Sequence, residues 1–368
     1  MRKWYLLILI MLNLLLVGCW DQQHLVNKTF INGISYDLKD NGNIKVTVRA
    51  VNIKGQGGGQ FEVQDELLFA EQKMQVGLGA EIDSMLAGQL DFSQAHIILI
   101  GDEMAKTGIN QLLEPYYRGK EANITKKVVI TKGDAETVLS TEIEKSPIAF
   151  FILQAIEGGE NASYLPDESI TSVWTKILTP GKDFMLPYME QVTPDKIRIA
   201  GVALVHGDKF SGKTLSIEQS SLLLLLMDQL KSTSQISLVL DEAEKESITF
   251  STKKVKRKLD LEVDQKTRSI TASIRLNLQI AVDSYPHKLK GNLDEKELNK
   301  KLSSELTKKA KEITDVLLEA NCDPFGIGLN LSTTYPELWE KIDWDKEFKK
   351  VTIVPMVNVE IIKTGSIY

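Results

Sequence analysis

Seven apolar side chains alternate along one face of a single short run: Ile270, Ala272, Ile274, Leu276, Leu278, Ile280 and Val282. A strict period of two fits a strand with one face buried and no other regular element. Ile248 to Val263 carries a similar pattern, so the two runs predict long antiparallel strands turned at Asp264 to Thr267. Asp294 then opens a helix, with Glu297 in capping-box position. That helix runs to about Ala320, with Leu298, Leu302, Leu306, Ile313 and Leu317 on one stripe. At 1.5 Å per residue it is roughly 40 Å long. Val351 to Ile362 adds another strand. The C-terminal unit, residues 246–368, is therefore expected to be a mainly antiparallel sheet covered on one face by one long amphipathic helix.

Upstream, Thr29 to Leu38 and Ile44 to Ile53 read as strands joined by a turn at Asn41-Gly42. Lys54 to Gln60, with Gly57-Gly58-Gly59, reads as a mobile loop, and Leu67 to Leu90 as helical. Ala95 to Ile100 is a buried strand ended by Gly101, a helix follows over Ile109 to Tyr117, and Lys127 to Thr131 is a further strand. Helices are expected over Asp134 to Ile143, Ile148 to Glu157 and Glu168 to Leu178. Residues 19–195 thus form an N-terminal mixed α/β domain. A middle unit, 196–245, holds a strand over Ile197 to Val205, a possible return strand over Ser211 to Leu215, and a helix over Ile217 to Leu230 with Ser216 and Gln219 as its capping box. The Leu222 to Met227 run in that helix is apolar on every face and belongs between domains or against a partner. The class is α+β, with three mixed α/β domains.

The first eighteen residues read as a leader. Arg2 and Lys3 precede fourteen residues, Trp4 to Val17, interrupted only by Asn13. This run is shorter than the roughly 18 to 20 apolar residues of a spanning helix. Leu16-Val17-Gly18-Cys19 resembles a bacterial lipobox, in which the Cys19 thiol is acylated and cleavage makes Cys19 the mature N-terminus. A plain signal peptide with an incidental Cys19 is the competing reading.

The chain carries a net charge of −6, and losing Arg2 and Lys3 with the leader brings it to −8. That balance argues against nucleic acid as a partner, which needs a basic footprint. Of two cysteines, Cys19 is assigned to lipid, so Cys322 has no partner within the chain and reads as a small buried residue near a helix end. His24, His96, His206 and His287 are scattered without metal-ligand spacing. No catalytic residues, cofactor or metal are expected. Gly207-Asp208-Lys209-Phe210-Ser211-Gly212-Lys213-Thr214 matches the phosphate-loop pattern G-x-x-x-x-G-K-T. Leu215 and Ser216, however, separate it from the helix that would bind the phosphate, and no later strand ending in Asp stands out as the magnesium partner. We therefore read a strand-turn-strand hairpin, with no nucleotide bound at Gly207–Thr214.

Two separated signatures point to one family. Cys19-Trp20-Asp21 is the first, and Asp323-Pro324-Phe325-Gly326-Ile327-Gly328 followed by Pro336, Trp339, Trp344 and Phe348 is the second. Together they resemble the Ger(x)C family, the lipoprotein C subunits of spore-germination nutrient receptors. The resemblance implies a non-enzymatic lipoprotein held by acylated Cys19 in the lipid bilayer at the outer face of the spore inner membrane. It implies integral-membrane A and B subunits as partners. An exported solute-binding or surface-hydrolase lipoprotein is the alternative, and predicts two similar lobes with a cleft. The second signature reads as core that locks the last strand, or as an aromatic contact patch for a partner.

Overall fold

The computed structural model describes residues 4, 28–57, 60–73, 77–85, 89–118, 124–143, 147–241, 246–264, 266–284 and 294–364. β1 (Lys28–Leu38) and β2 (Ile44–Gly57) form the hairpin predicted from Asn41-Gly42, with Gly42 at φ 79°. β3 (Gln60–Gln72) pairs with β2, and α1 (Leu78–Ser84) and β4 (Gln89–Asp91) follow. Next come β5 (Ile97–Gly101), α2 (Asp102–Thr107), α3 (Asn110–Arg118) and β6 (Lys127–Thr131). α4 (Ala135–Leu139), α5 (Ile148–Asn161) and α6 (Ile170–Ile177) lead to β7 (Phe184–Thr193), β8 (Lys196–His206) and β9 (Lys209–Leu215).

These strands make one sheet in the order β3-β2-β1-β5-β6-β7-β8-β9, with β4 also on β1. β1, β5, β6 and β7 are mutually parallel, so their first residues lie along one end of the sheet. One face is covered by α1, α2, α3 and α6 through residues such as Ile82, Met104, Leu113 and Val173. The other face packs against α4 and α5 through Val138, Leu139 and Ile152.

The helix expected over Leu67 to Leu90 is replaced by β3, α1 and β4. Leu67-Leu68-Phe69-Ala70 shows no alternation because both faces of this outer strand carry apolar groups, and Lys45 lies over the Phe69 ring at 4.4 Å. Pairing with the long β2 decides the conformation that local pattern left ambiguous. Gly57 ends β2, while Gly58 and Gly59 lie outside the described residues. β7 includes Pro187. Its ladder with β6 covers only Tyr188 and Met189, so the missing N–H of Pro187 falls outside that ladder.

Residues 196–245 supply both sheets. β8 and β9 close the large one, and α7 (Ile217–Leu226) follows with the predicted capping box between Ser216 and Gln219. β10 (Ser234–Asp241) then begins a four-stranded sheet with β11 (Glu246–Val263), β12 (Ile270–Ser284) and β13 (Thr352–Thr364), in the order β10-β11-β12-β13. β10, β11 and β12 are antiparallel, and β13 runs parallel to β12. Leu222 to Leu226 of α7 are all buried between β8 on one side and β10 and β12 on the other.

α8 (Glu295–Glu319) is the long amphipathic helix, its N-terminus capped by the Asp294 carboxylate, which accepts from Lys296 and Glu297 N–H. Leu298, Leu302, Leu306, Ile313 and Leu317 are buried as predicted. The polar residues beside that stripe also act. Asn299 Oδ1 accepts from Ile361 N (3.0 Å), Ser303 Oγ from Val359 N (2.9 Å) and Thr307 Oγ1 from Val357 N (3.0 Å). Four helical residues rise ~6 Å and two strand residues ~6.6 Å, so the spacings match and α8 closes the open edge of β13.

Candidate functional site

Cys19, Trp20 and Asp21 lie outside the described residues. The second signature is described in full, and it forms the connection that joins the two sheets. α8 ends at Ala320, Asn321 adopts φ 53°, and Cys322-Asp323-Pro324 crosses to the start of β7. Pro324 has no N–H to continue a helix, and Gly326 at φ 69° is the left-handed N-cap of α9 (Ile327–Thr334).

Asp323 is fully buried, and its carboxylate accepts from Ile327 N (3.0 Å) and Gly328 N (2.8 Å), which have no helical partner at the start of α9. Its backbone is held as well: Asp323 N donates to Asp183 Oδ2 and Asp183 N donates to Asp323 O, both at 2.9 Å. Asp183 Oδ1 accepts from Gly207 N at 2.7 Å, and its Oδ2 lies 3.2 Å from His206 Nδ1. The other ring nitrogen of His206 is 3.2 Å from Asn321 Nδ2. The Asp183 carboxylate therefore fastens the β8–β9 turn of the large sheet to the segment leaving the long helix. Cys322 is buried between them, its thiol donating to Val205 O at 3.2 Å.

Burial sets the electrostatics. Desolvation pushes the Asp323 carboxyl up to about 7, against the pull of its backbone donors. It also pushes the Cys322 thiol well above its ordinary value, opposite to what an activated nucleophile needs. The hydrogen bond to Asp183 raises His206. Desolvation lowers the Arg257 guanidinium, which stands 5.9 Å from the Phe325 ring with Asp228 and Asp323 nearby.

Gly328 and Gly181 meet backbone to backbone. Leu329 N donates to Gly181 O (2.9 Å), and a Cβ on Gly328 would fall 2.7 Å from Gly181 Cα and into the Trp344 indole. α10 (Pro336–Trp339) and α11 (Trp344–Glu347) bring the aromatic residues of the signature together. Trp339 and Trp344 rings are 5.7 Å apart, and Trp344 and Phe348 5.6 Å. Phe348 is fully buried, while both tryptophans are half-buried against the core.

Sequence reasoning missed the partners in the large sheet: Gly181, Asp183 and His206. Thr179-Pro180-Gly181 is a turn signal, but nothing local says which distant backbone the turn meets. The phosphate-loop match forms a hairpin, with Gly207-Asp208 as the turn and Lys209 to Leu215 as β9. Lys213 Nζ reaches Glu319 at the end of α8 (2.8 Å).

Comparison with known proteins bears on the whole length. Residues 21–191 match the family described as "Spore germination protein N-terminal domain", and residues 200–365 the one described as "Spore germination B3/GerAC like, C-terminal". The chain is 21% identical to spore germination protein GerQC of Bacillus cereus, over 99% of each chain. It is 23% identical to spore germination protein KC of Bacillus subtilis, over 94% of this chain and 92% of that one. The crystal structure of the GerBC protein shares its fold, with a TM-score of 0.55 and 17% identity over 93% of this chain and all of that one.

Proposed function

Since the chain belongs to the Ger(x)C family of spore germination proteins, we propose that it is the lipid-anchored C subunit of a nutrient germinant receptor. In this reading acylated Cys19 holds the chain at the outer face of the spore inner membrane. There it acts without catalysis, by contact with the integral-membrane A and B subunits.

The observation that carries the reading is positional. The family match begins at residue 21, two residues after the lipobox cysteine, and its two regions, 21–191 and 200–365, together reach almost to the C-terminus. One acyl chain binds membranes marginally and two bind stably, so a diacylated Cys19 retains an acidic ectodomain whatever its charge. The junction around Asp323 supports a structural role, because its polar groups are spent on backbone N–H donors and its thiol is sealed in. The two sheets differ in strand number and topology, which favours this reading over a two-lobed solute-binding protein.

The test is native purification from spore membranes. Wild-type protein should sediment with membranes and bring two integral-membrane proteins with it, and Cys19→Ala should move it to the soluble fraction. Recovery of the wild type alone, or full retention of Cys19→Ala, contradicts the corresponding half of the proposal.

A further inference from the structure

Ile124, Trp174 and Leu178 are large apolar residues left 43%, 39% and 61% exposed, and they sit together at one end of the large sheet. The contacts fix where. Thr171 N and Oγ1 both donate to Ile124 O, and Ile170 N donates to Lys126 O, so α6 starts against the segment that leads directly into β6. Trp174 and Leu178 follow Thr171 at three and seven positions, on the same outward face of that helix. Trp174 stacks on Tyr117 of α3 at 5.0 Å between ring centroids. The chain then reaches the start of β7, which lies at the same end of the sheet because β6 and β7 are parallel.

This is also the end at which β1 begins. Lys126 Nζ donates to Phe92 O (3.0 Å), and Phe92 directly follows β4, the strand that pairs with Lys28, Thr29 and Phe30. Lys28 stands nine positions after Cys19, a reach of at most about 30 Å for an extended chain. Indole and aliphatic side chains favour the bilayer interface, where one edge is apolar and the other wet.

We propose that the Ile124, Trp174 and Leu178 patch rests on the lipid bilayer, so that the large sheet stands with the starts of its parallel strands toward the membrane. The inference builds on Cys19 being lipid-anchored and adds the orientation. A comparably exposed apolar residue, Val192 (53%), lies at the opposite end of β7.

The test uses the full lipidated chain in phosphatidylcholine–phosphatidylglycerol vesicles carrying a headgroup-linked nitroxide quencher. Leu178→Cys and Val192→Cys are labelled separately with a fluorophore; buried Cys322 and acylated Cys19 do not compete for the label. Sedimentation with vesicles reports the anchor, and quenching reports the patch. The proposal expects quenching at position 178 to exceed that at 192 several-fold. Sedimentation with equal quenching, or with stronger quenching at 192, overturns the orientation alone. Failure to sediment overturns the anchor and the orientation with it.

Discussion

Asp183 and Asp323, 140 positions apart, hold each other through paired 2.9 Å hydrogen bonds, one between backbone groups and one from the Asp323 N–H to the Asp183 carboxylate. Asp183 collects donors from the β8–β9 turn and from the chain leaving α8, and Asp323 collects the orphan N–H groups of α9.

Replacing Asp183 by Ala leaves Gly207 and Asp323 N–H groups without their acceptor. The expected loss is about 1–3 kcal/mol for each buried donor left unsatisfied. Urea unfolding followed by circular dichroism would measure it. A change within error of zero would show that water replaces the carboxylate.

Asp323 also gives the protein a pH dependence of definite sign. Its carboxyl is raised from 3.8 to about 7 in the folded chain, so between those values the native state holds a proton that the unfolded state has released. Stability is then highest below about pH 4 with respect to this group and falls as pH rises to about 7. Asp37 acts in the same direction, raised by burial from 3.8 to about 6 while accepting from Ala135 and Glu136 N–H. Asp323→Asn should flatten the upper part of the curve, by at least ~1 kcal/mol between pH 5 and 7.5. Parallel curves for the variant and wild type would refute the assignment.

Gly328→Ala should cost about 1–3 kcal/mol by overpacking, since its Cβ meets both the Gly181 backbone and the Trp344 ring. If the indole is the harder obstacle, Trp344→Ala combined with Gly328→Ala is less destabilised than the sum of the two single changes. Strict additivity would place the obstruction in the Gly181 backbone.

Asn299, Ser303 and Thr307 close the β13 edge, so Asn299→Leu, Ser303→Ala and Thr307→Val together should remove about 1 kcal/mol per lost bond. The same variant should associate through the uncovered strand, which size-exclusion chromatography would reveal. A triple variant that is monomeric and fully stable would mean the edge needs no cover.

Periodicity carried much of this architecture. Ile270 to Val282 named a strand and its buried face, Asp294 named a helix start, and Ser216 with Gln219 named a cap, because each signal is local and physical. β3 and β7 stayed hidden, one through adjacent apolar residues on an outer strand and the other through Pro187, which reads as a strand breaker although it pairs with Val202 of β8. The site was half legible. Asp323, Gly326 and Gly328 stood out as residues with special backbone demands, whereas Gly181, Asp183 and His206 gain their roles only when the two sheets meet.

The central claim is that this chain is the C subunit of a nutrient germinant receptor. Deleting its gene in the source organism and measuring spore germination with nutrients and with a nutrient-independent trigger tests it most directly. The account predicts that the nutrient response is lost and the nutrient-independent response is intact. An unchanged nutrient response, in a strain with no redundant receptor, would contradict it.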